Sequence, residues 1–434
     1  MKQKISIHWF RRDLRLDDNA SLWAALKSGA PVLPIFIFDK YILDKLENKQ
    51  DARVHFIHNT ITSLDAQLRQ FGSALRVFYD TPENVYKQLL DEYAIHEVWT
   101  NRDYETYAQE RDQKIFNLLH KNNVAFKGKK DHVIFEKNEV LKDDGKPYTV
   151  FTPYSRKWKS KLTAFHTKAY PTLKYANSFF KTPPFAIPTL GDMGFEASTI
   201  EIPSSSIPIS IIEKYDKTRD IPSMHGTTRL SIHLRFGTLS IRQLTSIALD
   251  KNETWLNELI WRDFYQMIIH HFPHSEKDAF KLQYDKVEWI NDEKGYALWC
   301  AGKTGYPIVD AGIRELNATG FMHNRVRMIV ASFLTKHLLI DWRWGERYFA
   351  SKLLDYEAAS NVGGWQWAAG SGCDAAPYFR IFNPTSQTEK FDKEKRYIKR
   401  WVPEYGTTSY PKPCVDHVFA RNRCLETYKK ALKS

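Results

Sequence analysis

The residues best suited to chemistry lie in one stretch near the end of the chain, between Asp355 and Pro384. Asn361 stands about one helical turn before Trp365, and Trp367 follows two residues later. Glycine costs about 1 kcal/mol in a helix and tryptophan needs a partner for its N–H, so a core helix rarely combines these residue types. The stretch is therefore predicted to surround a flat ligand. A Gly-Gly break packed by two tryptophans is the alternative when the stretch is considered alone.

A second candidate is the sequence HGTTRLS from His225 to Ser231. A glycine followed by two hydroxyls, an arginine and a third hydroxyl suits a diphosphate, which backbone N–H groups, hydroxyls and one cation can hold. The same spacing also fits an N-cap for the following helix. Both interpretations stay open at this point.

Three longer motifs occur in the same half of the chain: WLNELIWRDFY from Trp255, KTGYPIVDAGIRELNATGFMHNRVRM from Lys303, and DWRWGERYF from Asp341. Together with HWFRRDLRLDDN near the start and YPKPCVDH near the end, they resemble the DNA photolyase and cryptochrome family over nearly the whole chain. Within that family the chain is most similar to bacterial class I photolyases for cyclobutane pyrimidine dimers.

The resemblance implies a light-driven repair lyase in which reduced FAD donates an electron to a pyrimidine dimer in DNA, the cyclobutane ring splits and the electron returns. A cryptochrome-type blue-light photoreceptor is the first alternative, and a flavin-bearing DNA-binding protein without catalysis is the second. Only 33 residues follow Trp401, fewer than in many signalling members of the family. Repair is therefore the expected function.

The resemblance also assigns FAD contacts. In the family an asparagine matching Asn361 hydrogen-bonds the flavin nitrogen that is protonated on reduction, and an amide can follow that protonation because it both donates and accepts. Signalling members often carry Asp or Cys there. Arg327 is the expected ion partner of Asp355. The implied FAD-binding residues are Tyr215, Thr227, Thr228, Arg229, Leu230, Ser231, Trp255, Arg262, Asn324, Arg327, Asp355, Tyr356, Glu357 and Asn361.

Two further sets follow from the same resemblance. Besides Glu258 and Asn361, the implied catalytic residues are three tryptophans that carry an electron from the surface to the flavin, namely Trp289, Trp342 and Trp365. Trp299 and Trp344 are expected to be core residues. Two tryptophans, a carboxylic residue and an amide are expected to bind a flipped-out dimer. The implied DNA and lesion contacts are Arg219, Glu258, Trp261, Arg262, Asn324, Arg325, Met328 and Trp367.

The elements that must position these residues show two patterns. From Ile5 to Phe135, short apolar runs alternate with amphipathic stretches, which predicts a doubly wound α/β domain with a parallel sheet. The predicted strands are ISIHWF, VLPIFIFD, ALRVFYD and HEVWTN, and Thr81 before Pro82 predicts a helix start. No GxGxxG motif follows the first strand, so this domain need not hold the principal cofactor. After Gly226 the pattern is helical.

Three segments are therefore predicted: an α/β antenna-type domain at 1–135, a connector with some helix at 136–224, and an all-α FAD- and DNA-binding catalytic domain at 225–434. Family members that bind a folate antenna carry an Asn and an acidic residue where this chain has Tyr107 and Ala108. Glu110 is the alternative acidic residue after a register shift. A second chromophore, of the folate type or another, is expected without a fixed identity.

The composition of the chain indicates which classes of partner it can bind. The chain has 434 residues, 43% of them hydrophobic, which is enough for two domains, and its net charge of +12 favours a polyanion such as DNA. A basic surface can also serve only solubility. The four cysteines show no metal-ligand spacing and fit reduced thiols in a cytosolic protein. No apolar run approaches the roughly 18 residues that span a bilayer. We expect a cytoplasmic monomer with neither metal nor membrane.

Overall fold

The protein, described here from a computed structural model over residues 2–433, contains one parallel sheet of five strands in that range. The strands are β1 (Lys4–Phe10), β2 (Val32–Asp39), β3 (Arg76–Asp80), β4 (Ala94–Asn101) and β5 (Ala125–Lys129). Their order is β3-β2-β1-β4-β5, so the chain builds the sheet outward from β1 first to one side and then to the other. This is the predicted doubly wound topology.

The central strands are hydrophobic because helices cover both faces of a parallel sheet. Every residue of β2 is buried, and so is every residue of β1 after Lys4. In register, Ile7 of β1 pairs with Leu33 of β2 and with Val98 of β4. The four predicted strands are confirmed. The fifth, β5, was not predicted, because this edge strand reads AFKGK and alternates exposed with half-buried residues.

The chain divides into two compact units whose segments alternate along the sequence. The α/β unit comprises Met1–Glu136, Leu162–Ser206 and Leu230–Ile247, and the helical unit comprises Lys137–Lys161, Ile207–Arg229 and Ala248–Ser434. This grouping differs from the predicted three segments. Residues 162–206 return to the sheet, where the Phe180 N–H bonds the Val32 carbonyl at 2.8 Å. Residues 137–161 pack with the helical residues instead.

The helices of the α/β unit range from four to 18 residues in length. They are Ala20–Leu26, Lys40–Leu43, Ala52–Arg69, Pro82–Glu92, Thr106–Lys121, Ala164–Thr167, Ser231–Phe236 and most of Ile241–Lys251, with 3-10 turns at Thr172–Ser178 and Gly191–Met193. The predicted start at Thr81 is confirmed. Its hydroxyl accepts the Asn84 N–H at 3.4 Å, and Pro82 occupies the first helical position.

The helical unit has a core of buried aliphatic and aromatic side chains around the helix Pro307–Thr319. Its other α-helices are Phe151–Lys161, Ile209–Glu213, Tyr215–Thr218, Glu253–His271, Glu293–Cys300, Asn324–Ser332, Trp342–Lys352, Ala358–Ala369, Pro384–Phe391, Arg396–Trp401 and His417–Lys433. A π turn spans Phe333–His337, and 3-10 turns span Pro273–Glu276 and Leu282–Lys286. Between residues 2 and 433, no helix has the length and apolar content needed to cross a membrane.

Within the stretch from Asp355 to Pro384, residues Ala358–Ala369 form a continuous helix without a break at its two glycines. A Cβ on Gly363 would lie 2.3 Å from Cε1 of Tyr265, so this glycine allows the helix Glu253–His271 to approach closely. Apart from its chain neighbours and the backbone of its own helix, no atom lies within 4 Å of the position where a Cβ on Gly364 would stand. The first glycine therefore serves packing, and the second faces open space.

Candidate functional site

The amide of Asn361 is oriented by a residue that sequence reasoning missed. Its Nδ2 donates to Oε1 of Glu346 at 2.9 Å and to the Glu346 carbonyl at 3.2 Å, and the Tyr356 hydroxyl also donates to Oε1 at 3.3 Å. Burial raises the pKa of Glu346, while these hydrogen bonds lower it. Because both amide hydrogens are engaged, Asn361 presents only its oxygen, an acceptor, to any further group. Nothing in the spacing of DWRWGERYF had marked Glu346.

Two carboxylates that precede Asn361 by six and four residues are paired with cations from other helices. Arg327 donates to both oxygens of Asp355, at 3.0 and 3.2 Å, so the predicted ion pair is confirmed. Arg262 donates to buried Glu357 at 3.0 Å. Removing one member of such a pair would leave a charge without its partner, so these contacts attach the segment before the helix Ala358–Ala369 to the helices Glu253–His271 and Asn324–Ser332.

The segment from Thr227 to Arg229 carries donors that have no hydrogen-bond partner within residues 2–433. Within residues 2–433 nothing accepts a hydrogen bond from the hydroxyls of Thr227 and Thr228, and the Arg229 guanidinium makes no ion pair. Arg229 has a φ of 54°, a conformation uncommon for a residue with a side chain, and its guanidinium lies 4.4 Å from the ring centre of Phe321. One cation and two hydroxyls held in this way fit a phosphate group.

The N-cap interpretation of the same segment is not supported. Leu230 is the residue before the helix Ser231–Phe236, and no side chain of the segment bonds the first backbone N–H groups of that helix. Leu230 is buried and Ser231 is exposed. The hydroxyls of this segment are therefore not used to start the helix.

Glu258 and Trp261 lie on one face of the helix Glu253–His271, as their spacing predicted. Glu258 forms an ion pair with Arg219, whose guanidinium also lies 5.4 Å from the ring centre of Tyr215. Burial raises the pKa of Glu258, although the neighbouring Arg219 acts in the opposite direction. About a third of each charged side chain is exposed, at 27% for Arg219 and 31% for Glu258. The pair therefore remains within reach of a substrate.

Arg325 and Met328 are brought together, and the ring contact of Trp367 is with another residue. Arg325 bonds Asp220 at 2.7 Å and approaches the Met328 sulfur at 3.7 Å. Trp367 is half-buried, 6.3 Å from the ring centre of Phe382, and Asn324 is exposed at the start of its helix. Asp220 and Phe382 were not predicted, since no motif marked them. No hydrogen bond or ring contact joins Trp367 to Trp261 or Glu258 in the described part of the chain.

The three tryptophans of the predicted electron chain differ in burial. Trp365 and Trp342 are buried, and Trp289 is half-buried beside Tyr428, with ring centres 5.9 Å apart. The ring contacts of Trp365 are with Phe349 at 4.9 Å and Trp299 at 6.1 Å. Throughout residues 2–433, no ring contact joins two members of the three. Their electron-transfer role stays a prediction.

A glycine makes room for Trp365, and the two tryptophans expected in the core, Trp299 and Trp344, differ in burial. A Cβ on Gly345 would stand 2.0 Å from the Trp365 ring, so this glycine makes room for the indole. Trp299 is fully buried and donates its N–H to the Val330 carbonyl at 3.3 Å, which agrees with its expected core position. Trp344 is only half-buried, 5.1 Å from the ring centre of Tyr296.

Most of the chain matches known protein families. A family model described as the FAD binding domain of DNA photolyase matches residues 255–409, and one described as DNA photolyase matches residues 6–174. A deoxyribodipyrimidine photo-lyase of Vibrio cholerae is 38% identical over 98% of this chain and 99% of its own length. The chain belongs to the DNA photolyase family.

Two solved structures extend the likeness to the whole fold of this photolyase-family chain. A class III photolyase from Agrobacterium tumefaciens has a TM-score of 0.87 at 32% identity and covers 100% of this chain and 99% of its own. An archaeal photolyase from Sulfolobus tokodaii, described with two FAD molecules, has a TM-score of 0.83 at 33% identity, covering 99% and 100%. The predicted fold class and family are confirmed. The match to the FAD binding domain includes Asn361, Asp355 and Arg327, whereas Tyr215 and Thr227–Ser231 precede it.

Proposed function

We propose that this member of the DNA photolyase family repairs cyclobutane pyrimidine dimers in DNA with the energy of blue light. Its proposed cofactor is fully reduced FAD. The observation that carries the proposal is the amide of Asn361, whose hydrogens are held by Glu346 and whose oxygen is left as an acceptor. The relative named deoxyribodipyrimidine photo-lyase supports the choice of substrate.

Reduced FAD, when bound, supplies an electron on absorbing light and takes it back after the cyclobutane ring has split. The residues of the chain bind and orient it. Arg229 and the hydroxyls of Thr227 and Thr228 would hold the diphosphate, since these donors make no hydrogen bond within residues 2–433. Asn361 would accept a hydrogen bond from the protonated ring nitrogen, which stabilises the reduced form.

The remaining implied FAD residues have supporting positions in this proposal. Asp355 and Glu357, fixed by Arg327 and Arg262, would accept hydrogen bonds from hydroxyl or imide groups of the cofactor. Tyr215 and Trp255 are buried apolar surfaces near the ends of their helices. Together they would enclose the cofactor and keep water from its ring system.

The lesion would be bound by the residues around Glu258. Turning a base out of the duplex costs a few kcal/mol, and least for a damaged base that stacks poorly, so the dimer itself favours extrusion. Trp261 and Trp367 offer aromatic surface, worth about 1–3 kcal/mol per stacked base. Glu258, with its raised pKa, would hydrogen-bond the dimer, and Arg219 and Arg325 would contact phosphates or the pocket rim.

Trp289, Trp342 and Trp365 are proposed to deliver an electron from the surface so that the cofactor reaches its reduced state. Trp289 is the member with solvent access, and the other two are buried in the core of the helical unit. This priming step is separate from repair. Trp342→Phe should therefore block reduction by light yet leave repair intact when the cofactor is reduced chemically beforehand.

The deciding experiment joins a spectrum with a repair assay. The purified protein is illuminated with blue light and a thiol, its absorption is recorded, and loss of dimers from an oligonucleotide is measured in light and in darkness. Reduction of the flavin with light-dependent dimer loss supports the proposal. Flavin reduction without dimer loss would contradict a repair function and favour a blue-light photoreceptor. Asn361→Asp, run in parallel, should lower the yield of fully reduced flavin about tenfold through loss of the oriented amide.

We also propose a second, light-harvesting chromophore in the α/β unit, supported by the archaeal relative described with two FAD molecules. Acid release of the pigments, followed by mass measurement, tests this: more than one chromophore per chain is expected. Cytoplasmic location and a monomeric state complete the proposal, supported by four free cysteines and a net charge of +12. Light scattering on the purified protein at several concentrations would reveal a dimer.

A further inference from the structure

The ring of Phe151 lies flat against the ring of Trp261. Their ring centres are 3.7 Å apart and their planes differ by 3°. Aromatic pairs in proteins more often stand offset or edge to face, with centres about 4.5–7 Å apart. Phe151 is the first residue of the helix Phe151–Lys161, which lies about a hundred positions before Trp261 in the sequence. No motif had connected this helix with a substrate site.

Two contacts impose this close stack. The Phe151 N–H donates to Asp374 at 3.0 Å, which fixes the start of its helix. Further along the same helix, the indole N–H of Trp158 donates to buried Asp263 at 2.9 Å. Because Asp263 belongs to the helix that carries Trp261, the two helices are aligned by a buried bond. Phe151 cannot leave Trp261 without breaking this alignment or turning its side chain.

A second ring also lies beside Trp261. Tyr265, one turn later on the same helix, lies 5.4 Å away with its plane tilted by 29°. Tyr265 is itself held by the close approach of Gly363. Trp261 nevertheless remains half-buried, so part of its ring is accessible. The indole thus packs against rings from two helices, Phe151–Lys161 and its own helix Glu253–His271.

We propose that Phe151 is a positioning residue of the lesion site, which holds Trp261 in the orientation that receives a flipped-out pyrimidine dimer. The inference rests on the proposed function, since it assumes that Trp261 contacts the lesion. The helix Phe151–Lys161 then belongs to substrate recognition. A freely rotating indole would have to be ordered on binding, and ordering one large side chain weakens binding about three- to tenfold.

The test is a double-mutant cycle on DNA binding. Phe151→Leu and Trp261→Ala are made singly and together, and dissociation constants are measured for a dimer-containing oligonucleotide and the same undamaged sequence at one salt concentration. Phe151→Leu should weaken binding of the damaged DNA about three- to tenfold and leave the undamaged DNA unchanged, since phosphate contacts are untouched. In the Trp261→Ala background, Phe151→Leu should cause no further loss.

Two controls separate positioning from general packing. Phe151→Tyr keeps the ring and should retain the wild-type preference for damaged DNA. Phe165→Ala removes a phenylalanine that is 74% exposed, and it should change the dissociation constant of neither the damaged nor the undamaged DNA. Thermal unfolding of all variants is recorded, because a purely structural role would lower stability without selectivity for the lesion.

The outcomes discriminate between the inference and the proposed function. Equal weakening of both DNAs by Phe151→Leu, or an undiminished loss in the Trp261→Ala background, overturns the role of Phe151. If Trp261→Ala abolishes the preference while Phe151→Leu keeps it, only the inference fails. If Trp261→Ala keeps the preference, the lesion contact assigned to Trp261 in the proposed function fails, and the role of Phe151 fails with it.

Discussion

In the α/β unit four buried charged side chains bond to one another, whereas in the helical unit the half-buried donors of Thr227, Thr228 and Arg229 have no hydrogen-bond partner within residues 2–433. Asp131 accepts from Arg15 at 2.6 Å and from Arg242 at 2.7 Å, and Asp18 accepts from Arg242 at 2.7 Å. All four side chains are at most 11% exposed. In the helical unit, by contrast, Arg229 and the hydroxyls of Thr227 and Thr228 make no hydrogen bond within residues 2–433.

The difference teaches how to recognise residues kept for a ligand. Buried polar groups in folded proteins are almost always hydrogen-bonded. A fully paired network such as that of Asp131 therefore stabilises the fold and leaves no group available for a ligand. Donors that are positioned by unusual backbone geometry and yet unpaired are available for another molecule. Arg229, with its positive φ, is the clearest case. Four substitutions can break or sharpen this contrast.

The largest effect is expected from Asp131→Ala. The change leaves Arg15 and Arg242 buried without their shared carboxylate, which should lower the free energy of unfolding by about 3–5 kcal/mol. Urea unfolding of the purified protein measures it. Asp143→Ala is the matched control, because its carboxylate pairs with Lys157 but is 94% exposed, so almost no change in the free energy of unfolding is expected. Similar losses in both variants would contradict the view of a fold-holding network.

Acid should destabilise the helical unit through His323. Burial lowers its pKa from 6.5 to about 4, so the ring is neutral in the folded protein and takes up a proton more readily when unfolded. The contribution of neutral His323 to the free energy of unfolding is about 3 kcal/mol. It is fully present above pH 6.5 and is lost as the pH falls toward 4.

His323→Asn tests this pH dependence. Asparagine can replace the bond that His323 accepts from the Arg325 N–H at the start of its helix. The free energy of unfolding, measured by urea between pH 7 and 4, should therefore become less steep in this variant. An unchanged slope would show that His323 is not the titrating group.

Arg229→Gln should weaken flavin binding about tenfold to a hundredfold, because a charge-assisted contact to phosphate is lost. The unfolding free energy of the flavin-free protein should change by only about 1 kcal/mol, the size of its contact with Phe321. Flavin release is followed by fluorescence and unfolding by urea. Arg242→Gln is the counterpart in the α/β unit, where the loss should fall on stability. A large loss of stability for Arg229→Gln would remove the contrast between the units.

The smallest effect is expected from Gly364→Ala. The position is in a helix and has open space around it, so alanine should raise the unfolding free energy of the flavin-free protein by about 0.5–1 kcal/mol. Because Asn361 and Gly364 are three residues apart, they share a face of the helix, and the added methyl should weaken flavin binding. If flavin binding is unchanged while stability rises, that space is filled by water instead of the cofactor.

Much of the framework was determined by the sequence alone. The apolar runs of β1 to β4 and the Thr81-Pro82 start are local patterns, since strand burial and helix capping depend on residues close in the chain. The long motifs were specific enough to place the chain in its family, and with the family came the ion pair of Arg327 with Asp355. The apolar pattern did not predict β5, because an exposed edge strand needs few apolar residues.

Only the tertiary structure decided which side chains complete the site. Glu346 orients Asn361, and Phe151 confines Trp261, yet neither residue is marked by its own neighbours in sequence. It also assigned residues 137–161 to the helical unit, through the bond between Trp158 and Asp263. Hydrogen bonds and ring contacts join atoms that are close in space, and a single sequence records the order of residues without the distances between them. Orientation of the functional groups is therefore a property of the folded chain.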